Sequence, residues 1–257
     1  MTEANLNEEA LELLLQKLDN FVWTDKAKEE RDRLRQNFLQ TYDKQRIENL
    51  TKEDYFAGLG KKQGCLAYDL EWGTSALGSI KGGSKYKYGY EADFPKIRQL
   101  LRKVISIDTS VFANTNGSLP APLLDICKLS KDINGFKTGR TVIPKLLSIY
   151  YPDTFLPIFN DQDHFLSKLL TSGTETESTG LELYFEYNFK LLKVKKRLEE
   201  ISGKPFDNFG FARLLYAAFP KGEDAPTSDQ PANPDILQDD EKFEALEVQH
   251  YQTLLHR

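Results

Sequence analysis

A stretch rich in glycine and aromatic residues, from 58 to 90, interrupts a chain whose other segments follow a helical periodicity. Within it, polar residues alternate with aromatic and β-branched residues over 65–72 and 77–80, which is the pattern of half-buried strands. We therefore predict a small antiparallel strand unit here. Helical segments lie on both sides, so the predicted fold class is α+β: a small antiparallel sheet embraced by several helices, with a mostly helical C-terminal half.

The helices are predicted from apolar residues that recur three and four positions apart. The first covers 6–21, where Asn7 is placed to cap the N-terminus. A short helix begins near Thr51, because Thr51 and Asp54 have the spacing of a capping pair. The segment 140–159 fits either a helix or a buried strand. Further helices are predicted over 25–38, 92–105, 162–170, 181–201 and 208–219.

Composition divides the chain into three parts. Residues 1–220 are predicted to form one α+β recognition domain. Residues 221–240 combine acidic residues with three prolines, which is typical of a solvated linker that buries too little surface to fold. Residues 241–257 return to helical periodicity. We predict a terminal helix there, which either docks on a partner or begins a further domain.

Composition also excludes several classes of protein. No apolar run reaches the roughly 18 to 20 residues that cross a bilayer, so we expect no membrane-spanning segment. The N-terminus lacks the basic start and apolar stretch of a secretory signal. Cys65 and Cys127 are too few for a disulfide framework, and no zinc-ligand spacing is present. We therefore expect a cytoplasmic protein with no metal, no cofactor and no membrane partner.

The formal net charge of −5 conceals two basic stretches in the middle of the chain. Acidic residues gather at both ends, whereas lysine and arginine are concentrated over 81–103 and again over 190–197. A uniformly basic coat for nucleic acid is thus excluded. A local basic surface is not excluded, because net charge does not determine how charges are arranged.

The turn from Gly78 to Gly89 carries residue types that bind a nucleic-acid backbone. Glycines let backbone N–H groups approach phosphates, lysines supply charge and tyrosines supply stacking faces. The alternative is a plain hairpin in which Gly82 and Gly83 provide positive φ angles. The spacing does not match a Walker A loop, so nucleotide hydrolysis is not expected. The candidate DNA-binding residues are Ser79, Lys81, Gly82, Gly83, Ser84, Lys85, Tyr86, Lys87 and Tyr88, with Arg98 and Arg102 of the next helix.

Three residues of the predicted strand at 65–72 have alternative interpretations. Asp69 and Glu71, two positions apart on a strand, would share a face and could hold a divalent metal, as in a metal-dependent nuclease. The simpler interpretation is a strand with a polar outer face. Trp72 is a candidate for stacking on a base, although aromatic residues in such patterns more often belong to the core.

Several motifs resemble, in their order and spacing, the N-terminal region of McrB-like proteins. They are Asn49–Tyr55, Tyr68–Glu71, Leu77–Gly83 with Lys87–Gly89, Lys145–Pro152, and Phe155–Ile158 with His164. The resemblance covers about residues 38–219. In that family a variable N-terminal module reads DNA and is attached to an AAA+ GTPase motor, which recruits a McrC-like nuclease to cut modified or foreign DNA.

The resemblance implies that the turn 78–89 recognises DNA and that Tyr151, Pro152, Pro157 and His164 have structural roles. It also implies an AAA+ GTPase motor or a nuclease subunit as partner, fused or separate. These 257 residues themselves contain no motor motif. The predicted function is a DNA-binding recognition module of a McrB-like, type IV restriction or anti-phage defence system. It would read DNA, with modified bases as one candidate cue, and would do no chemistry itself.

In this mechanism the basic residues Lys81, Lys85, Lys87, Arg98 and Arg102 would contact phosphates. Tyr86, Tyr88 or Trp72 would stack on a base or line a pocket for a flipped base. Two alternatives remain open from the residues. One is a metal-dependent nuclease that uses Asp69 and Glu71. The other is a protein-interaction module that docks through the predicted helix at 243–257.

Overall fold

The described part of the chain is built from helices joined by short connections. The computed structural model describes residues 6–21, 25–56, 64–80, 93–112, 119–133, 141–172 and 176–220. The α-helices in these ranges are α1 (Glu8–Asp19), α2 (Asp25–Thr41), α3 (Lys44–Glu48), α4 (Lys52–Tyr55), α5 (Leu66–Tyr68), α6 (Phe94–Ile105), α7 (Ala121–Lys131), α8 (Val142–Tyr150), α9 (Gln162–Leu169), α10 (Gly180–Ser202) and α11 (Asn208–Ala218). None of them is both long enough and apolar enough to span a membrane.

The predicted sheet is wrong for the residues that the structure describes. They contain no strand, and their one β-type pairing is an isolated antiparallel bridge between Leu6 and Leu170. The α+β class is therefore corrected to a helical fold over the described ranges. The predicted strand residues at 58–63 and 81–90 lie outside them.

The segment 65–80 folds as a chain of short helical turns instead. After α5 come a π-helical turn at Asp69–Gly73 and a 3-10 turn at Ser75–Leu77. Leu66, Leu70 and Leu77 are buried, and their separations of four and seven residues match a helix. The alternation of residue types suggests strands, but the large leucines within it are also spaced as in a helix. Burial of those leucines decides the conformation.

The first hydrophobic core lies between α2, α6, α7, α8 and the N-terminal part of α10. Large buried residues fill it, including Tyr42, Ile97, Leu146 and Phe185. The helical turns at 65–80 pack on the same core through Leu70 and other apolar side chains. The elements around the predicted DNA-binding turn therefore share one packed interior.

A second core joins α1, α9, α11 and the C-terminal part of α10. It includes Leu14, Phe165, Leu191, Val194 and Phe211, all of them buried. Helix α10, at 23 residues about 34 Å long, contributes to both cores. Its position explains the long amphipathic pattern in the sequence, because its apolar face packs against the first core near one end and against the second core near the other.

Local capping signals predict helix starts correctly. The side chain of Asn7 accepts hydrogen bonds from the N–H groups of Glu9 and Ala10, which confirms Asn7 as the cap of α1. Thr51 Oγ1 accepts from the N–H of Asp54 at 3.2 Å, which confirms the capping pair. The ambiguous segment at 140–159 contains a helix, α8. Helix α3, only five residues long, and helix α7, eleven residues long, were not predicted.

Candidate nucleic-acid interface

The chain that leads into the predicted DNA-binding turn is held tightly at Gly78. Gly78 has a φ of +111°, and a Cβ at this position would lie 2.7 Å from Cε2 of Phe159. A side chain is excluded there by both the backbone angle and the space. Leu77 and Ile80 are buried on either side, whereas Ser79 between them is exposed. The start of the turn is thus anchored to the first core.

The π-helical turn is held by side-chain hydrogen bonds. The hydroxyl of Tyr42 donates to Oδ2 of Asp69 at 2.7 Å, and burial together with this bond raises the pKa of Tyr42. Thr74 Oγ1 donates to the carbonyl of Leu70 at 2.8 Å. Trp72, the candidate stacking residue, is half-buried on this turn. Trp72 thus lies on a turn that these two bonds hold in place.

The structure does not support the metal site proposed for Asp69 and Glu71. The shared face depended on a strand, and residues two apart on a helical turn do not face each other. Asp69 is engaged by Tyr42, and Glu71 is only 1% exposed. Within the described ranges, no group of three or more His, Cys, Asp or Glu residues is arranged to hold a metal ion.

Sequence reasoning missed a buried lysine that lies near Glu71 of the π-helical turn. Lys145, in the middle of α8, is fully buried, and its Nζ has no hydrogen-bond partner in the described structure. Burial lowers the pKa of Lys145 from 10.5 to about 7, and the charge of Glu71 opposes that fall. The one available signal was a single lysine inside the apolar run Val142–Ile149.

Arg98 and Arg102, predicted to contact phosphates, bind backbone carbonyls near the end of α3. Arg98 Nη1 donates to the carbonyl of Leu50 at 3.4 Å, and Arg102 Nη2 donates to the carbonyl of Glu48. The guanidinium of Arg98 also lies 5.9 Å from the ring centre of Phe94. Positive charge at a helix C-terminus is stabilising, so both arginines have a structural role whether or not they also meet DNA.

The lysines of α6 are also engaged. Lys96 lies 3.4 Å from a carboxylate oxygen of Asp93, and Lys103 lies 3.1 Å from that of Asp125. These exposed pairs are individually weak, but they reduce the unpaired positive charge of this helix. The remaining predicted contacts, Lys81, Gly82, Gly83, Ser84, Lys85, Tyr86, Lys87 and Tyr88, lie outside the described residues.

The four residues given structural roles by the resemblance all contact the scaffold. The hydroxyl of Tyr151 accepts from the N–H of Ile107 at 3.0 Å. The carbonyl of Pro152 accepts from Asn208 Nδ2 at 2.8 Å. In addition, Nε2 of His164 lies 3.2 Å from the carbonyl oxygen of Phe219, and the carbonyl oxygen of Pro157 lies against Gly78.

Another arginine was missed by sequence reasoning. Arg35 of α2 donates from Nε to the carbonyl of Ile149 at 2.6 Å, near the C-terminal end of α8. Next to it, the hydroxyl of Tyr150 donates to the carbonyl of Tyr42. These bonds tie α2 to α8 and carry no local sequence signal, because the partners are more than 100 residues apart.

Comparison of the chain with protein-family models, with curated proteins and with solved structures finds no match. The resemblance to McrB-like proteins therefore stays a prediction from the motifs in the sequence.

Proposed function

We propose that this chain binds DNA as the recognition module of a McrB-like restriction or anti-phage defence system, and that it does no chemistry itself. The observation that carries the proposal is the anchored entry to the turn 78–89. Gly78 is packed against Phe159, while Leu77 and Ile80 are buried in the core. The predicted turn, rich in glycine, lysine and tyrosine, would thus start from closely packed residues.

A packed entry supports binding because those entry residues lose little further conformational freedom when a ligand is bound. Lysines at 81, 85 and 87 would neutralise phosphates, and Tyr86, Tyr88 or Trp72 would stack on a base. Trp72 is half-buried, so part of the residue stays accessible. Base-modified DNA is the candidate cue, since a flipped base read in a pocket exposes the groups that carry a modification.

The proposal extends to compartment and partners. Cys65 and Cys127 are buried free thiols, which fits a reducing cytoplasm. By the resemblance, the partner would be an AAA+ GTPase motor or a nuclease subunit, fused or separate. The nuclease alternative gains no support, because Glu71 is buried and Asp69 is engaged by Tyr42.

The test is equilibrium binding of the 257-residue chain to a short labelled duplex, with and without modified cytosines, in a salt series without divalent metal. We expect binding that weakens steeply with salt and that is reduced by the double variant Lys85→Ala/Lys87→Ala. The matched control, Lys17→Ala/Lys44→Ala, removes two exposed lysines from α1 and α3 and should bind like the wild type.

Tighter binding of the modified duplex would identify the cue. Failure to bind any duplex at low salt would refute a DNA reader and would favour the alternative of protein docking through residues 243–257. Equal losses in the turn variant and in the control would show that only total charge matters, and would refute the turn as the site.

A further inference from the structure

The second basic stretch, at 190–197, lies on α10 and is separate in sequence from the turn in the proposed function. Three buried residues of α10, Leu191, Val194 and Leu198, recur at helical spacing and face the second core. Cationic residues lie before and between them. We define the α10 ridge as Lys190, Lys193, Lys196 and Arg197.

The ridge faces solvent and is long enough to contact more than one phosphate. Lys193 and Lys196 are exposed, while Lys190 and Arg197 are half-buried. From Lys190 to Arg197 the helix rises about 10 Å. Long lysine side chains spread from such a helix can reach several phosphates along one backbone.

The charge on this ridge is only partly neutralised. Arg197 lies 3.6 Å from a carboxylate oxygen of Glu200, and Lys195, beside the ridge, forms a 2.9 Å pair with Glu199. Among the residues that the structure describes, no acidic group pairs with Lys193 or Lys196. In this respect α10 differs from α6, whose lysines are paired with Asp93 and Asp125.

The chemistry of the ridge favours a polyanion over a protein or a membrane. The exposed large apolar residues in the described ranges are Val111, Leu124 and Ile201. Of these, Ile201 lies on α10, one turn after Arg197, and a single residue does not make an apolar face. Interface cores between proteins are depleted in lysine and enriched in aromatic residues, and membrane-binding helices need an exposed apolar face. A phosphate backbone needs only accessible cations.

We propose that the α10 ridge is a second, sequence-independent contact for the phosphate backbone of nucleic acid, with Lys193 and Lys196 as its principal cations. This inference rests on the proposed function and adds a surface that the turn does not include. The turn would read the base, and the ridge would hold the backbone and fix the orientation of the module.

The test uses the 257-residue chain, an unmodified duplex and the double variant Lys193→Ala/Lys196→Ala. We expect the affinity to fall roughly 10- to 50-fold near 0.1 M salt, with the slope of log K against log salt about 2 smaller in magnitude. The loss should be the same for different duplex sequences. The control Lys17→Ala/Lys44→Ala should keep the wild-type affinity and slope, and matched thermal unfolding would show that both variants are folded.

Three results would overturn the inference. If the wild type binds duplex but Lys193→Ala/Lys196→Ala keeps its affinity and salt slope, the ridge is not a contact, although the proposed function stands. If the wild type binds no duplex, the proposed function and the ridge fail together. If polyglutamate or vesicles of anionic lipid bind the wild type as tightly as duplex does, and the variant loses both, the surface is not specific for nucleic acid.

Discussion

Replacing Lys145 with methionine should stabilise this protein at pH 7, although it removes a charge next to a buried carboxylate. Lys145 is fully buried in α8, and its Nζ lacks a hydrogen-bond partner in the described structure. Methionine has a similar length and no polar head. The substitution therefore keeps most of the packing and removes the cost of burying an ammonium group.

The magnitude follows from the pKa of Lys145. A fall from 10.5 to about 7 corresponds to a cost of about 5 kcal/mol for the charged form, at about 1.4 kcal/mol per pH unit. Part of the gain is lost because Glu71, itself buried, no longer has a nearby ammonium. We expect Lys145→Met to raise the free energy of unfolding at pH 7 by about 1–4 kcal/mol.

The same group makes stability depend on pH. Below about pH 7 the lysine is protonated in both states, and the folded protein bears the full cost. Between about pH 7 and 10.5 the unfolded chain binds more protons than the folded one, so the contribution of Lys145 to the unfolding free energy rises with pH. Lys145→Met should remove this rise.

Urea unfolding followed by circular dichroism, in steps from pH 6 to pH 9.5, would measure both effects. The control is Lys128→Met, an exposed lysine of α7, which should change stability by less than about 0.5 kcal/mol. Glu71→Gln should lower stability at pH 6, because it removes the carboxylate that favours the protonated lysine. Clear destabilisation by Lys145→Met, with the wild-type pH dependence intact, would show that the ammonium is well solvated and would refute the reasoning.

Two further changes test the anchoring of the turn. Gly78→Ala should lower the unfolding free energy by roughly 2–4 kcal/mol. The alanine would have to adopt a positive φ, and its Cβ would lie 2.7 Å from Cε2 of Phe159. Gly203→Ala is the matched control: Gly203 also has a positive φ but has open space around it, and a loss as large as that for Gly78→Ala would contradict the steric argument. Tyr42→Phe should cost about 1 kcal/mol in urea unfolding through its lost bond to Asp69. An unchanged urea midpoint would show that this bond makes no net contribution to the free energy of unfolding.

Helix positions were predictable where their signals are local. Asn7 and Thr51 cap helices through bonds to residues two or three positions away, so the sequence contains both partners. The prediction for 140–159 stayed ambiguous because every residue of Val142–Ile149 is buried, and a helix that is buried all round has no polar face to show its period.

The sheet prediction failed for a related reason. Over 65–80 the residue types fit either a strand alternation or a helix, and local preference for strands is weak. The choice depends on packing: the path of short helical turns buries Leu66, Leu70 and Leu77 in one core. The sequence of this segment alone does not reveal the surface on which it packs, because other parts of the chain form that surface.

The sequence by itself determined the helices with strong amphipathic periods and their caps, because those depend on neighbours within about one turn. The tertiary structure alone decided which charges are available. It engages Arg98 and Arg102 with carbonyls near the end of α3, some 50 residues away, and it buries Lys145 with Glu71. It leaves Lys193 and Lys196 exposed on α10. The physical reason is that burial and pairing of a charge depend on atoms brought together by the fold, whereas periodicity depends on order along the chain.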